Sequence, residues 1–326
     1  MIVDARNILL IQLGDIGDVV ITSPTIRAFK ETRPQSHLAI LVRKPYGSLL
    51  IADPHLDEVI ELEKSLCFLR RLRASRYDLV VDLRTGDRGA FLSFLTGAHE
   101  RVGCHIGGKQ FWHDLVFTTV IRDLRVAPPP VHPGADQSLR VARHIGVDTV
   151  NSTPRLYTSA QDTERARALL AACPARWVTI NPFARWQYKE WADEKWTQVI
   201  DRLWQEQQIA TVLVGSSDES TRAAALVTGR ADHAFNLAGK TTLGELAALL
   251  AMSTLHLGVD SAAPHIAAAV GTPTLTIHGP TDWRGWRLVD DRHKVVTPDS
   301  GKLEQLEVEP VIAVANEMLR RIHALP

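Results

Sequence analysis

The chain has 326 residues, more than one ordinary open sheet needs and enough for two domains. Hydrophobic residues make up 45% and charged residues 23%, the profile of a soluble globular protein, and Lys+Arg and Asp+Glu stand at 37 each. That balance excludes global attraction to nucleic acid or an anionic membrane, though not a local basic patch. Cys67, Cys104 and Cys173 lack the spacing of a disulfide frame or a zinc site. The opening "MIVDARNILLIQLGD" does not read as a signal peptide, and no run nears the ~20 apolar residues of a membrane span, so a cytoplasmic protein is expected.

In chain order, the predicted strands of the first half are "NILLIQL", "HLAILV", "DEVIEL" and "YDLVVDL", separated by helical patterns such as "SLCFLRRLRAS". A looser region follows, punctuated by "VAPPPVHPGAD", then a helix "ADQSLRVARHIG" and a proline-bearing connector near residues 147 to 161. The rhythm restarts with "WVTINP", "DEKWTQVIDRLWQEQ", "IATVLVG", a helix from Asp218 and "HAFNLAG". It ends with "TLGELAALLAMS", "TLHLGVD", "APHIAAAVG" and "PTLTIHG". The expected fold class is α/β, with two Rossmann-like doubly wound parallel-sheet domains. Their boundaries are 1–155 and 156–326, and a last helix at about 309–324 could pack back on the N-terminal domain. Ligands of such sheets bind at the carboxyl ends of the strands.

Three loops carry candidate chemistry. After the first strand comes Gly14-Asp15-Ile16-Gly17-Asp18, which is not G-x-G-x-x-G and adds carboxylates where a phosphate would meet like charge. Asp18, in the first turn of a helix, reads either as that helix's cap or as a general base for a hydroxyl. In "INPFARWQYKEW", Lys189 reads as a phosphate contact or as a solvated surface lysine. In "LGVDSAAPHIAAAVGTPTLTIHGPTDW", Asp260 and Ser261 open a helix whose first N–H groups suit a diphosphate. His265 in that helix could donate to a phosphate or be a satisfied, semi-buried histidine. Glu219 in "VGSSDES" could hold ribose hydroxyls or simply begin a helix. P-loop, H-E-x-x-H, G-x-S-x-G and Asp-x-Asp patterns are missing, so no metal cofactor is expected.

Taken together, "GDIGDVVITSP", "NPFARWQYKEW" and "VDSAAPHIAAAVGTPTLTIHGPTDW" resemble glycosyltransferase family 9, the ADP-heptose:lipopolysaccharide heptosyltransferases, in order and spacing through nearly the whole chain. The segment "ARWQYKEW" is most similar to the heptosyltransferase III branch. The resemblance implies a GT-B fold, two such domains facing a central cleft. It implies inverting, metal-independent transfer of heptose from ADP-heptose to a sugar hydroxyl of the lipid A-linked core oligosaccharide. It makes Asp18 the base and Lys189 a contact of the donor diphosphate. Asp260 would lie near the donor sugar, Ser261, Ala262 and His265 around the phosphates, Glu219 on the ribose and Thr241 near adenine. Ala262 stands where the family often has glycine, and position 264 is proline. Arg43, Lys44, Arg84 and Arg88 are candidates to meet the acidic acceptor. The helix "SLCFLRRLRAS" could rest on the cytoplasmic face of the inner membrane, or be an ordinary amphipathic surface helix. Rival readings are a GT-B enzyme with another nucleotide sugar or glycan acceptor, a nucleotide-sugar epimerase on the same fold, and a binding protein with a dead site. A dehydrogenase is disfavoured because neither half carries G-x-G-x-x-G.

Overall fold

The structure is a computed structural model and describes residues 5–84, 86–104, 112–122, 133–286 and 290–324. Most of the "VAPPPVHPGAD" punctuation lies outside the described residues. The chain divides into two compact units, Met1–Tyr157 and Thr158–Pro326.

The first unit holds strands β1 (Asn7–Gln12), β2 (His37–Val42), β3 (Glu58–Glu61), β4 (Leu79–Asp82), β5 (Glu100–Cys104) and β6 (Thr119–Ile121). Its helices are α1 (Ile16–Ile21), α2 (Ser23–Thr32), α3 (Leu66–Ala74), α4 (Asp87–Thr96), α5 (His113–Val116) and α6 (Pro133–Arg143). The sheet is parallel throughout, in the order β3-β2-β1-β4-β5-β6. Its central strands carry unbroken apolar runs, Ile8 to Ile11 in β1 and Leu38 to Val42 in β2, because helices cover both faces. The two-residue period then sorts them: Leu9, Ile11, Ala39, Leu41 and Val80 share one core with Phe68 and Leu72 of α3 and Leu92 of α4. Strands β5 and β6 fall in what the sequence reading leaves as a looser region. The segment "ERVGC" begins with two charges and contains a glycine, which hides a strand. Gly103 is needed there, since a Cβ would come 2.5 Å from the Phe117 ring.

The second unit holds β7 (Trp177–Asn181), β8 (Ala210–Leu213), β9 (Ala234–Asn236), β10 (His256–Val259), β11 (Thr274–Ile277) and β12 (His293–Val296). Around them lie α7 (Ala160–Leu169), α8 (Asp193–Gln207), α9 (Ser220–Val227), α10 (Leu243–Met252), α11 (Ala262–Ala269) and α12 (Val308–Ala324). The order β12-β11-β10-β7-β8-β9 repeats the topology of the first unit. One face of the sheet packs Val178, Ile180, Leu213 and Leu257 against Trp196 and Leu203 of α8 and Val311, Ala315 and Leu319 of α12. The last helix thus has its apolar stripe in the core of the second unit. The opposite face packs Trp177 and Val212 against Ala166 of α7 and Ala248 of α10.

In this strand order the chain reverses its direction of travel between the first and fourth strands of each sheet. Loops leaving those two strands part to opposite sides and open a crevice. In the first unit the crevice lies between β1 and β4, in the second between β7 and β10.

Candidate active site

In the first unit, buried Gln12 ends β1 and organises the turn: its Oε1 accepts the Gly14 N–H at 3.1 Å and its Nε2 donates to Thr22 Oγ1 at 2.7 Å. Asp15 is the N-cap of α1, in extended conformation. Asp18, three residues on, turns back so that its Oδ2 accepts the Asp15 N–H at 2.8 Å. Capping by Asp18 is therefore real. It uses one carboxylate oxygen, and the close return is possible because residue 14 has no Cβ, which would overlap the Asp18 carboxylate.

The second oxygen is engaged too. Asp18 Oδ1 lies 2.5 Å from the Arg84 guanidinium, with Asp18 16% and Arg84 48% exposed at the side chain. Arg84 arrives from β4, next to β1 across the crevice. Its backbone N–H donates to Asp82 Oδ1 at 3.1 Å, which fixes where the arginine starts. Asp82 itself is buried, and its Oδ2 has no hydrogen-bond partner among the described residues. Burial pushes its carboxyl up to about 8, against the opposing pull of the Arg84 N–H and charge. Cys104 is raised to about 12 by burial, with Asp82 adding to it, so the thiol is protonated and inert.

The other basic candidates of this unit are spread around the same strand ends. Arg43, just after β2, pairs with Asp15 at 2.9 Å and lies over the Tyr46 ring. Lys44 beside it is exposed, as is Arg88 in the first turn of α4. Of the four, Arg84 alone is in contact with Asp18 in the described bonds; Arg43 reaches Asp15 instead.

In the second unit the crevice holds Lys189 and Asp260 together. Lys189 Nζ donates to Asp260 Oδ2 at 2.6 Å, and Thr281 Oγ1 donates to the same oxygen at 2.9 Å. Buried His278 stands 3.9 Å from Asp260 Oδ1. Asp260 ends the β10 loop, and Ser261 is the N-cap of α11, so Ala262 supplies the first helical N–H. Pro264 costs this terminus one donor. His265 is half-buried in the same turn region. From β7, Asn181 donates Nδ2 to Ser261 Oγ at 3.4 Å and accepts the Phe183 N–H at 3.0 Å, tying the two strand exits together.

Glu219 shows the same device as Asp18. Its Oε2 accepts the N–H of Ser216 at 2.6 Å, and a Cβ on Gly215 would stand 2.7 Å from that oxygen. Glu219 thus begins a helix, with its second oxygen available for a ligand's hydroxyls in the described bonds. Thr241 lies in the loop after β9, which packs on the β8 loop: at Gly239 (φ 75°) a Cβ would come 2.8 Å from Ser217 Cα. Glu219 and Thr241 therefore sit on adjoining loops.

Sequence reasoning passed over Thr281, His278, Asn181 and Asp82. Thr281 and His278 were inside the quoted "LTIHGPTDW" segment, and only the fold reveals that they turn toward Asp260. Asp82 had a readable signal, an acid closing the apolar run "LVV". Among the described residues no group of three or more His, Cys, Asp or Glu could hold a metal ion.

Residues 66–312 match the family described as Glycosyltransferase family 9 (heptosyltransferase). The chain is 31% identical to Lipopolysaccharide heptosyltransferase 3 of Escherichia coli over 293 residues, 83% of each protein. Among solved structures, a family 9 glycosyl transferase from Veillonella parvula superposes with a TM-score of 0.87 at 20% identity, covering 98% of this chain and 99% of that one. ADP-heptose lps heptosyltransferase II of E. coli superposes with a TM-score of 0.80 at 20% identity, over 98% and 100%. These two-domain α/β structures share the fold described above.

Proposed function

This chain belongs to glycosyltransferase family 9, the heptosyltransferase family, and from that premise we propose that it moves heptose from ADP-heptose to a sugar hydroxyl of the lipopolysaccharide inner core. The observation that carries the choice of donor and acceptor is the likeness to Lipopolysaccharide heptosyltransferase 3 along most of both chains. Family membership sets the epimerase reading aside.

The second unit binds the donor. The diphosphate lies against the first N–H groups of α11 at Ser261 and Ala262, with His265 beside them, where the helix dipole favours negative charge. Glu219 holds the ribose, and Thr241 lies near adenine. Asp260 meets the heptose while it holds Lys189 in place. Lys189 and the helix terminus then stabilise the charge that grows on the departing ADP, which makes the transfer metal-independent.

The first unit binds the acceptor through Arg43, Lys44, Arg84 and Arg88, whose positive charges suit a phosphorylated or carboxylated glycan. Asp18 takes the proton of the attacking hydroxyl. The hydroxyl oxygen bonds to the anomeric carbon from the face opposite ADP, the carbon–phosphate oxygen bond breaks, and the configuration inverts. The cytoplasmic face of the inner membrane is the place of the reaction, with peripheral contact by the first unit. This is supported by Phe91, Phe94 and Leu115, 52%, 57% and 77% exposed on α4 and α5, which pack side by side. The adjoining α3 carries Arg70, Arg71 and Arg73 and no acid. No helix among the described residues is long and apolar enough to cross a membrane.

The test is transfer from ADP-heptose to a truncated core acceptor by the wild-type protein and by Asp18→Ala, with EDTA present and absent. Expected are EDTA-indifferent transfer, an inverted product, and a roughly 10²–10⁴-fold fall in kcat for the variant with ADP affinity retained. Normal turnover by Asp18→Ala would remove Asp18 as the base. Preference for another nucleotide sugar would replace the donor.

A further inference from the structure

Both oxygens of Asp18 are occupied in the free protein, Oδ2 by the Asp15 N–H and Oδ1 by Arg84. The first bond belongs to the helix start and stays. The second is to the end of a long side chain that is half exposed and can swing while its backbone remains tied to Asp82. The guanidinium takes up Oδ1, the carboxylate oxygen that the helix start does not use. It also fills the side from which a hydroxyl would donate. The site as folded therefore holds its base in check.

We propose that Arg84 is a specificity-determining residue that releases Asp18 only when the acceptor brings an anionic group, a phosphate or carboxylate, to take the guanidinium. Asp18 Oδ1 then accepts the proton of the neighbouring hydroxyl as the new glycosidic bond forms, and ADP departs with the electron pair of the broken bond. An acceptor without such an anion leaves Arg84 on Asp18 and reacts slowly even when it occupies the site. Coulomb competition supplies the discrimination, because a guanidinium pairs with phosphate at least as well as with carboxylate. Arg43 offers no substitute for Arg84 in this role, since its partner is Asp15. This inference rests on Asp18 being the base, and it adds which acceptors the base will serve.

The experiment compares two acceptors that differ only in the anionic group, one phosphorylated and one dephosphorylated, with the wild-type protein, Arg84→Gln and Arg84→Lys. For the wild type, kcat should favour the phosphorylated acceptor by about tenfold or more. In Arg84→Gln, kcat on the dephosphorylated acceptor should rise about tenfold above wild type, while KM for the phosphorylated acceptor worsens. Arg84→Lys should restore the wild-type preference in part. A kcat in Arg84→Gln that falls by the same factor on both acceptors, with ADP binding unchanged, would overturn the proposal and leave Arg84 a plain acceptor contact. Asp18→Ala run alongside keeps the two ideas apart: normal turnover there removes the base itself, whereas an inactive Asp18→Ala with no gain in Arg84→Gln removes only the release by anions.

Discussion

Asp82 is a carboxylic acid closed inside the first unit, one oxygen accepting the Arg84 N–H and the other without a hydrogen-bond partner among the described residues. In the unfolded chain it ionises near its ordinary value of 3.8, and in the folded protein it keeps its proton up to about 8. Between those values the native state binds more protons than the unfolded one. The stability tied to this group is thus fully present in acid, below its unfolded value, and is lost as the pH rises toward about 8. Asp82→Asn removes the titration and keeps the oxygen that fixes Arg84. Its melting temperature should change less between about pH 5 and pH 8 than that of the wild type, measured by calorimetry across that range. Identical slopes would mean that Asp82 is already ionised in the fold. The residue scale also explains why Gly14 and Gly215 are glycines. Each lets an acid four positions on fold back over its own helix start, using one carboxylate oxygen as a cap.

At the scale of elements, the segment from Pro182 to Trp191 shows how a long loop can present one charge accurately. Trp191 is buried against Trp196 and donates its indole N–H to Leu306 O at 3.0 Å, which pins the far end. Glu190 accepts the Ala184 N–H at 2.9 Å and pairs with Arg222 at 2.5 Å. Arg222 also meets Asp193 at 2.6 Å and lies over the Phe183 ring. Lys189 is carried between these fixed points onto Asp260. Arg222→Met keeps much of the apolar stem but deletes both ion pairs. It should raise KM for the donor several-fold and lower the melting temperature by a few degrees, with kcat changed less. A donor KM equal to wild type would show that the loop holds Lys189 without this cluster.

For the whole molecule, each unit brings one ion pair to the point where its strand order reverses, Asp18 with Arg84 between β1 and β4 and Lys189 with Asp260 between β7 and β10. This follows from parallel strands and right-handed crossovers, not from the identity of the loop residues. The exposed stripe of α4 begins at Arg88 and continues through Phe91 and Phe94, so the proposed acceptor contact and an apolar surface share one helix. The triple variant Phe91→Ser, Phe94→Ser and Leu115→Ser should float less with vesicles containing anionic phospholipid, yet transfer heptose to a water-soluble acceptor at the wild-type rate. Equal flotation by variant and wild type would take the membrane contact away from this face.

The alternation of apolar runs and helical patterns determined the α/β class and the two-part organisation, because strand and helix periods are local properties of a chain. The three loop motifs, through their order and spacing, were enough to point to the family. Short strands such as β5 and β6 stayed hidden: β5, inside the sheet, opens with two charges and carries a glycine, and β6, at the edge, has three residues, too few to show a pattern. Asp18 could be read as a cap or as a base, and the sequence held no means to choose. The tertiary structure gave its neighbours: β4 lies beside β1 although two strands intervene in the chain, and this puts Arg84 on the Asp18 carboxylate. The pairing of Lys189 and Thr281 on Asp260 likewise arises from loops far apart in sequence. Periodicity fixes which residues form each element, but electrostatic contacts depend on which strand ends become neighbours, and that is decided only when the whole sheet is assembled.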